Sequence, residues 1–206
     1  MYKIFFLSIL LSLNSCIEFK SDYPETTFYT LSQENINNDL PSFDASILIK
    51  DIKLSSWINL DYLMEYKDNN IIERYYYHKW NNNLQSQIQN LIKNRLILQE
   101  NFKNGLVHFS STGKANYVIE IDVLDLKANT SVLEDIAYIN ANVKVYSNFT
   151  IEKYHNELSK VQLILNKNYE FSENRKNDKI ADIPLYFSNL IAKLIDNILI
   201  DIKSKK

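Results

Sequence analysis

The side chain with the most specific chemistry is the thiol of Cys16, the only cysteine in this 206-residue chain. A hydrophobic segment of ten residues, Ile4 to Leu13, precedes it, and the basic residue Lys3 precedes that segment. Such a segment is too short to span a bilayer as a helix, which takes about 20 residues, but it suits a signal peptide. Leu13-Asn14-Ser15-Cys16 resembles a bacterial lipobox, in which the cysteine receives a diacylglycerol and the peptide is cleaved before it.

This pattern predicts a signal peptide over residues 1–15 and a lipid-modified amino terminus at Cys16. The alternative is an inert buried thiol. A structural disulfide is excluded, since a lone cysteine cannot form one within the chain. Two or three acyl chains anchor a protein firmly, whereas one chain holds it only marginally. Residue 17 is Ile rather than Asp, the residue that tends to retain lipoproteins in the inner membrane of enteric bacteria. We therefore expect a lipid anchor in the outer membrane of a Gram-negative bacterium, on its periplasmic face.

The other reactive side chains form no recognisable catalytic or metal-binding pattern. The histidines His78, His108 and His155 have no spacing that is typical of a metal site. The segment from Ser110 to Lys114 lacks the first glycine of a phosphate-binding loop, and an alanine follows its lysine. No set of nucleophile, base and orienting residue emerges. The sequence thus predicts a protein that is not an enzyme, with no metal and no cofactor beyond the covalent lipid.

One segment, residues 54–80 (LSSWINLDYLMEYKDNNIIERYYYHKW), concentrates aromatic side chains. Two interpretations stay open: the rings fill the space beneath a sheet, or they form an exposed surface for a partner or a lipid. For the second interpretation we select Trp57, Tyr62 and Trp80. The net charge of −2 and the absence of a basic cluster do not favour nucleic acid as the partner.

The elements that position these residues follow from hydrophobic periodicity. Alternation with a period of two predicts antiparallel strands over a core, at 117–123, 139–145 and 161–171. Shorter stretches rich in β-forming residues predict further strands, at 27–31, 46–53 and 106–110. A hairpin of 63–67 and 71–77 is expected to turn at Asp68-Asn69-Asn70.

Helical spacing of apolar residues predicts a middle helix over 81–100 and a long C-terminal helix. Asp182 is expected to cap the second helix, with Pro184 in its first turn. Its charged residues Lys193, Asp196 and Asp201 argue against a membrane span. We expect its wide apolar stripe to pack on the sheet, with a position on the membrane surface as the alternative.

The predicted fold class is α+β, a single domain of mostly antiparallel β-sheet with a middle helix and a long C-terminal helix packed on it. Residues 16–45 hold the lipidated N-terminus, a tether and the first short strand, which is expected to join the same sheet. Residues 46–206 form the remainder of the α+β domain.

The order of these features resembles the ABC-type transport auxiliary lipoproteins, typified by paraquat-inducible protein C. The similar segments are Tyr29-Thr30-Leu31 after the cysteine, the strand from Ile47, the turn at Asp68 to Asn70, His78-Lys79-Trp80 before a helix, and the strand from Tyr117. Two positions depart from the pattern. Ser55 stands where the family usually has proline, and Asn81-Asn82-Asn83 replaces the Ala-Glu-Pro that commonly follows the tryptophan.

The resemblance implies a non-catalytic auxiliary or docking component, anchored to the outer membrane by its lipid. Its partners would be an MCE-domain protein that bridges the periplasm and an inner-membrane ABC permease and ATPase. Such systems move phospholipids or other hydrophobic molecules between the membranes, and a homo-oligomer is compatible with this role. The alternative is a periplasmic lipid-binding carrier or chaperone, with an apolar pocket between the sheet and the C-terminal helix. A third hypothesis, an envelope hydrolase, has no catalytic residues to support it.

Overall fold

A computed structural model describes residues 23–32, 39–68, 71–108, 110, 114–131, 134–153, 156–176 and 179–205, and the side chains of 149–160 are left out. The predicted signal peptide and Cys16 lie outside the described residues. The strands are β1 (Thr27–Tyr29), β2 (Ile47–Ile49), β3 (Lys53–Leu54), β4 (Tyr62–Lys67), β5 (Ile71–Trp80), β6 (Tyr117–Thr130), β7 (Asp135–Lys153) and β8 (Asn156–Asn174). The helices are α1 (Leu84–Leu98) and α2 (Ile183–Ser204), the latter preceded by a 3₁₀ turn at Ile180–Asp182.

The strands form one sheet in the order β1-β5-β4-β6-β7-β8. β7 pairs with one edge of β6 along the whole length of β6. β2, β3 and β4 pair with successive parts of the other edge. The β4–β5, β6–β7 and β7–β8 ladders are long and antiparallel, whereas the four parallel pairings cover two or three residues each. The prediction of a mostly antiparallel α+β domain is therefore confirmed.

In β6 and β7 the apolar side chains at every second position are buried, as the alternation in sequence predicts. Ile119 is paired with Val145 and Ile121 with Val143, and all four side chains are at most 2% exposed. A register shift between Val123 and Asp125 lets the strand continue with the same side inward. One side of the sheet thus forms the core, and the two helices cover it.

The C-terminal helix is the main cover of that core. By length and composition Ile180–Ser204 could cross a membrane, with a mean hydropathy of 1.3, but 61% of the stretch is buried in the domain. Its buried residues recur at helical spacing and include Phe187, Leu190, Leu194 and Ile198. Packing on the sheet, as predicted, accounts for this apolar stripe.

Three details differ from the prediction. Asp182 does not cap α2: its side chain makes no capping hydrogen bond, because it ends the 3₁₀ turn in a helical conformation rather than the extended one of an N-cap. The strand expected over 46–53 is split into β2 and β3, because the amide of Ile52 donates to the side chain of Gln89 instead of a neighbouring strand. In the described part of 106–110, a single bridge from Leu106 to Ile47 replaces the expected strand.

Candidate interaction surface

The side of the sheet away from the helices carries a set of exposed apolar side chains at its β1–β5–β4 end. We call this set the aromatic face; it consists of Phe28, Trp57, Tyr62, Met64, Ile72 and Tyr76. Four of these are well exposed: Phe28 is 60%, Trp57 59%, Ile72 47% and Tyr76 61% accessible. Tyr62 and Met64 are half-buried between them.

The alternation of β4 places its residues on two different sides. Leu63 and Glu65 point inward and are buried, so Met64 and Tyr66 lie on the solvent side. Met64 pairs with Arg74 and Tyr66 with Ile72 across the β4–β5 ladder. These pairs form the floor of the aromatic face.

Ring contacts connect the upper part of the face. The rings of Tyr62 and Tyr76 meet edge to face with their centroids 5.6 Å apart. The Lys79 ammonium lies 5.2 Å from the centroid of the Tyr62 ring, within the range of a cation–π contact. Phe28 is in register with Lys79 in the parallel β1–β5 pair and therefore joins the same side of the sheet.

A bulge explains why Trp80 does not share the solvent side with Tyr76. Tyr62 pairs with Lys79, but the next residue, Leu63, pairs with Tyr75, so residues 76–78 of β5 loop out of the ladder. Regular alternation places Tyr76 on the solvent side with Ile72 and Arg74, and the bulge then turns Trp80 inward. His78 stays against Tyr29, whose hydroxyl lies 2.8 Å from the imidazole Nδ1 of His78.

A short loop holds Trp57 beside this surface. Trp57, Met64, Ile72 and Arg74 line a groove of about 420 Å³ between residues 54–61 and the β4–β5 hairpin. The neighbouring Ile58 is 6% exposed and anchors the loop in the core. The Asn59 side chain accepts hydrogen bonds from the amides of Asp61 and Tyr62 at 2.8 and 2.7 Å, which fixes the turn into β4.

Directly beneath the aromatic face lies a buried charged cluster centred on Glu65. The fully buried carboxylate of Glu65 contacts the fully buried Arg175 guanidinium at 2.5 Å, and Tyr75 donates to it at 2.7 Å. Thr130 and Lys67 donate to it as well, each at 2.5 Å.

Burial alone would raise the pKa of Glu65, but the hydrogen bonds from Lys67, Thr130, Arg175 and Tyr75 outweigh burial and lower the pKa to about 2. Burial and the bond to Glu65 raise the pKa of the Tyr75 phenol. The cluster is therefore an ionised structural junction that joins β4, β5 and β6 to the chain after β8.

A second ion pair joins the two helices on the core side. Arg95 of α1 donates from Nε and Nη2 to the Asp196 carboxylate of α2, at 2.8 Å in both bonds. Burial raises the pKa of Asp196, and the bonds from Arg95 only partly offset this effect. The pair fixes the helices that support the sheet, and it is remote from the aromatic face.

The structure brings together only two of the three predicted surface residues. Trp57 and Tyr62 lie on the aromatic face, but Trp80 is 5% exposed and stacks on Phe187 of α2, with ring centroids 6.2 Å apart. The choice of Trp80 as an exposed contact was wrong, because β5 turns inward after the bulge and its last side chain enters the core. For Trp80 the interpretation as a packing residue is correct.

Sequence reasoning missed Phe28, Met64, Ile72 and Tyr76. Tyr76 lies within the aromatic segment already singled out, but nothing in the run Tyr75-Tyr76-Tyr77 shows which ring faces solvent. Phe28 is 26 residues from the start of that segment and becomes its neighbour only through the parallel pairing of β1 with β5.

The described residues bear on two other kinds of site, a metal centre and a lipid pocket. In that part of the chain no three His, Cys, Asp or Glu side chains come close enough together to hold a metal ion. The α2 side chains that face the sheet, such as Leu194, Ile198 and Leu199, are at most 1% exposed and pack directly on the core. This packing occupies the space in which the carrier hypothesis expects a lipid pocket.

Comparison with known proteins identifies the fold. No protein-family model matches the chain, and no curated protein matches it. A crystal structure of a Xanthomonas campestris protein from the DUF330 family is similar, with a TM-score of 0.67 and 11% identity over 87% of this chain and 98% of that one. The structure of an uncharacterised protein has a TM-score of 0.61 and 11% identity over 87% and 99%. At these identities the likeness concerns the fold alone.

Proposed function

We propose that this protein is a non-catalytic lipoprotein of the bacterial cell envelope, which acts by binding through its aromatic face. In this proposal Cys16 carries the lipid, and the protein is the auxiliary or docking component of an MCE-type ABC lipid transport system at the outer membrane. The observation that most supports a binding role is the aromatic face itself. Its exposed rings stand on a sheet fixed by the Glu65 cluster, and rigid exposed aromatic side chains favour recognition.

The assignment to a transport system rests on the resemblance to the auxiliary lipoproteins. Its partners would be the MCE-domain bridging protein and, through it, the inner-membrane permease and ATPase. Hydrolysis of ATP would belong to the ATPase, since this chain offers no phosphate-binding loop.

The partner proposal is tested by isolating the protein from its own membrane. The protein, tagged at its C-terminus, is crosslinked briefly in cells, extracted in mild detergent and analysed by mass spectrometry. We expect an MCE-domain protein together with an ABC permease and ATPase. Recovery of the protein alone, or with bound lipid and no transporter subunit, would remove the transport assignment and favour a carrier.

The anchoring proposal has its own test in the Cys16→Ala variant. We expect wild-type protein to float with outer membranes in a density gradient and the variant to leave that fraction. The thermal unfolding midpoint should be the same in both, because lipidation belongs to the tether and not to the core. A variant that still floats with outer membranes would show that another part of the chain binds the membrane.

A further inference from the structure

We infer that the aromatic face is the surface that lies against the phospholipid bilayer to which the protein is anchored. This inference rests on the proposed lipidation of Cys16, and it names the partner of the aromatic face as lipid rather than protein. Phe28, Trp57, Ile72 and Tyr76 would enter the headgroup region, with Arg74 and Lys79 beside them.

The first argument is where the chain enters the domain. Phe28 follows Cys16 by twelve residues, and a fully extended chain of that length reaches at most about 40 Å. β1 then pairs with β5, which places Phe28 in register with Lys79 and close to the bulge that begins at Tyr76. The anchor is thus tied to the same end of the sheet that carries the aromatic face.

The second argument is the chemistry of the face. Tryptophan and tyrosine are enriched at the headgroup level of membranes, because one end of each ring system is apolar and the other forms hydrogen bonds. The aromatic face also contains the purely apolar side chains of Phe28 and Ile72, and the exposed Arg74 lies beside it. Arg74 and Lys79 supply cations for lipid phosphates, and their stems cover apolar surface.

The third argument is the contrast with the remainder of the same side of the sheet. Beyond β4 this side carries ion pairs: Lys50 with Glu120 at 2.5 Å and Lys127 with Asp125 at 2.7 Å. Bringing these pairs into the headgroup layer would cost desolvation. Exposed apolar side chains on this side of β8, Val161 and Leu163, are 63% and 48% accessible but include no aromatic ring. The β1–β5–β4 end is therefore the part of this side that combines exposed aromatic rings with cations.

The two tryptophans of the chain provide the test, since Trp57 is on the face and Trp80 is in the core. Processed, lipidated protein is reconstituted into phospholipid vesicles, some made with lipids brominated near the top of the acyl chains and some with lipids brominated near their ends. Bromine quenches tryptophan emission at contact. The Trp57→Phe variant reports Trp80 alone, and the difference between the two proteins reports Trp57.

We expect shallow bromines to quench Trp57 about twofold or more, and deep bromines to quench it less, as for apolar side chains about 5–10 Å into the interface. Trp80 should be little quenched in either vesicle. Equal quenching of wild type and Trp57→Phe, in protein that floats with the vesicles, would overturn the inference and leave the anchor intact. Failure of the wild type to float would overturn the anchor and, with it, this inference.

A matched pair of variants separates the face from general surface apolarity. Ile72 and Leu163 are 47% and 48% exposed, on strands at opposite parts of the sheet. Ile72→Thr should reduce the quenching of Trp57 by shallow bromines, and Leu163→Thr should leave it unchanged. If Trp57 is unquenched by lipid and becomes shielded only when the MCE-domain protein is added to the vesicles, the face binds protein and the membrane inference is wrong.

Discussion

Replacement of Glu65 by glutamine tests whether the charged cluster holds the sheet together beneath the aromatic face. The Glu65 side chain is fully buried and so is its partner Arg175. Glutamine keeps the size of the side chain but removes its charge. The Arg175 guanidinium then stays buried, and among the described residues the Asp135 carboxylate, at 3.3 Å, is the anion that remains paired with it. An ion pair broken on one side is costly, because the remaining charge has lost both its solvent and its partner.

The pKa of Glu65 sets the size of this effect. It is lowered from 4.5 to about 2 in the folded protein, and a difference of this size corresponds to about 3 kcal/mol of stability near pH 7. Breaking a buried pair costs a similar amount, about 3–5 kcal/mol. Because the folded-state pKa is lowered, this stabilisation is present above the unfolded pKa of 4.5 and is lost as the pH falls towards 2.

Urea unfolding, followed by circular dichroism at several pH values between about 7 and about 3, measures the effect. We expect Glu65→Gln to lower the free energy of unfolding by about 3 kcal/mol at neutral pH, and by clearly less near pH 3. The control is Glu73→Gln, since Glu73 is paired with Glu65 in the ladder but its side chain is 49% exposed. The control should cost less than about 1 kcal/mol. A deficit that equals the control, or one that does not change with pH, would refute the role assigned to Glu65.

Four further substitutions test the remaining structure by the same unfolding measurement. Trp80→Ala should cost about 3–5 kcal/mol, as expected for a large core side chain, whereas Trp57→Ala should cost less than about 1 kcal/mol; equal costs would mean that Trp57 belongs to the core. Asn83→Ala should cost about 1 kcal/mol, because its side chain accepts from the first amides of α1, and an unchanged midpoint would contradict this cap. Asp196→Asn should cost about 3 kcal/mol, because it removes the negative charge to which the buried Arg95 donates, and a neutral result would show that this ion pair adds nothing.

Regular periodicity made the core predictable. The inward residues of β6 and β7 and the apolar stripe of α2 follow patterns of period 2 and 3.6, and such patterns dominate wherever one side of an element is buried. The hairpin of β4 and β5 follows from a short polar turn between two β-forming stretches, although Asn69 and Asn70 lie outside the described residues. These features depend on local sequence, so they are visible in a single chain.

The candidate surface depended on events that no local pattern encodes. The bulge at residues 76–78 exchanges the sides of β5, so Trp80 enters the core although Tyr76, four residues earlier, faces solvent. The amide of Ile52 finds a side-chain acceptor, Gln89, 37 residues away, which splits a strand that looks continuous in sequence. In the sequence, Glu65 is one polar residue of an alternating strand. Only the folded structure shows that it pairs with Arg175, which follows β8. The bulge interrupts the local alternation, and the other two are long-range contacts that override a local preference.

The position of the charged cluster bears on how the face can work. In β4 the buried Glu65 lies between Met64 and Tyr66, whose side chains belong to the opposite side of the sheet. The bonds that fix Glu65 therefore also fix the backbone that carries the floor of the aromatic face. A surface held in this way loses little conformational freedom when it binds, so more of its contact energy is retained as affinity. If Cys16 carries the proposed lipid, a rigid face would set the orientation of the domain on the membrane, and the Glu65→Gln variant should lose this orientation while it stays attached to the membrane.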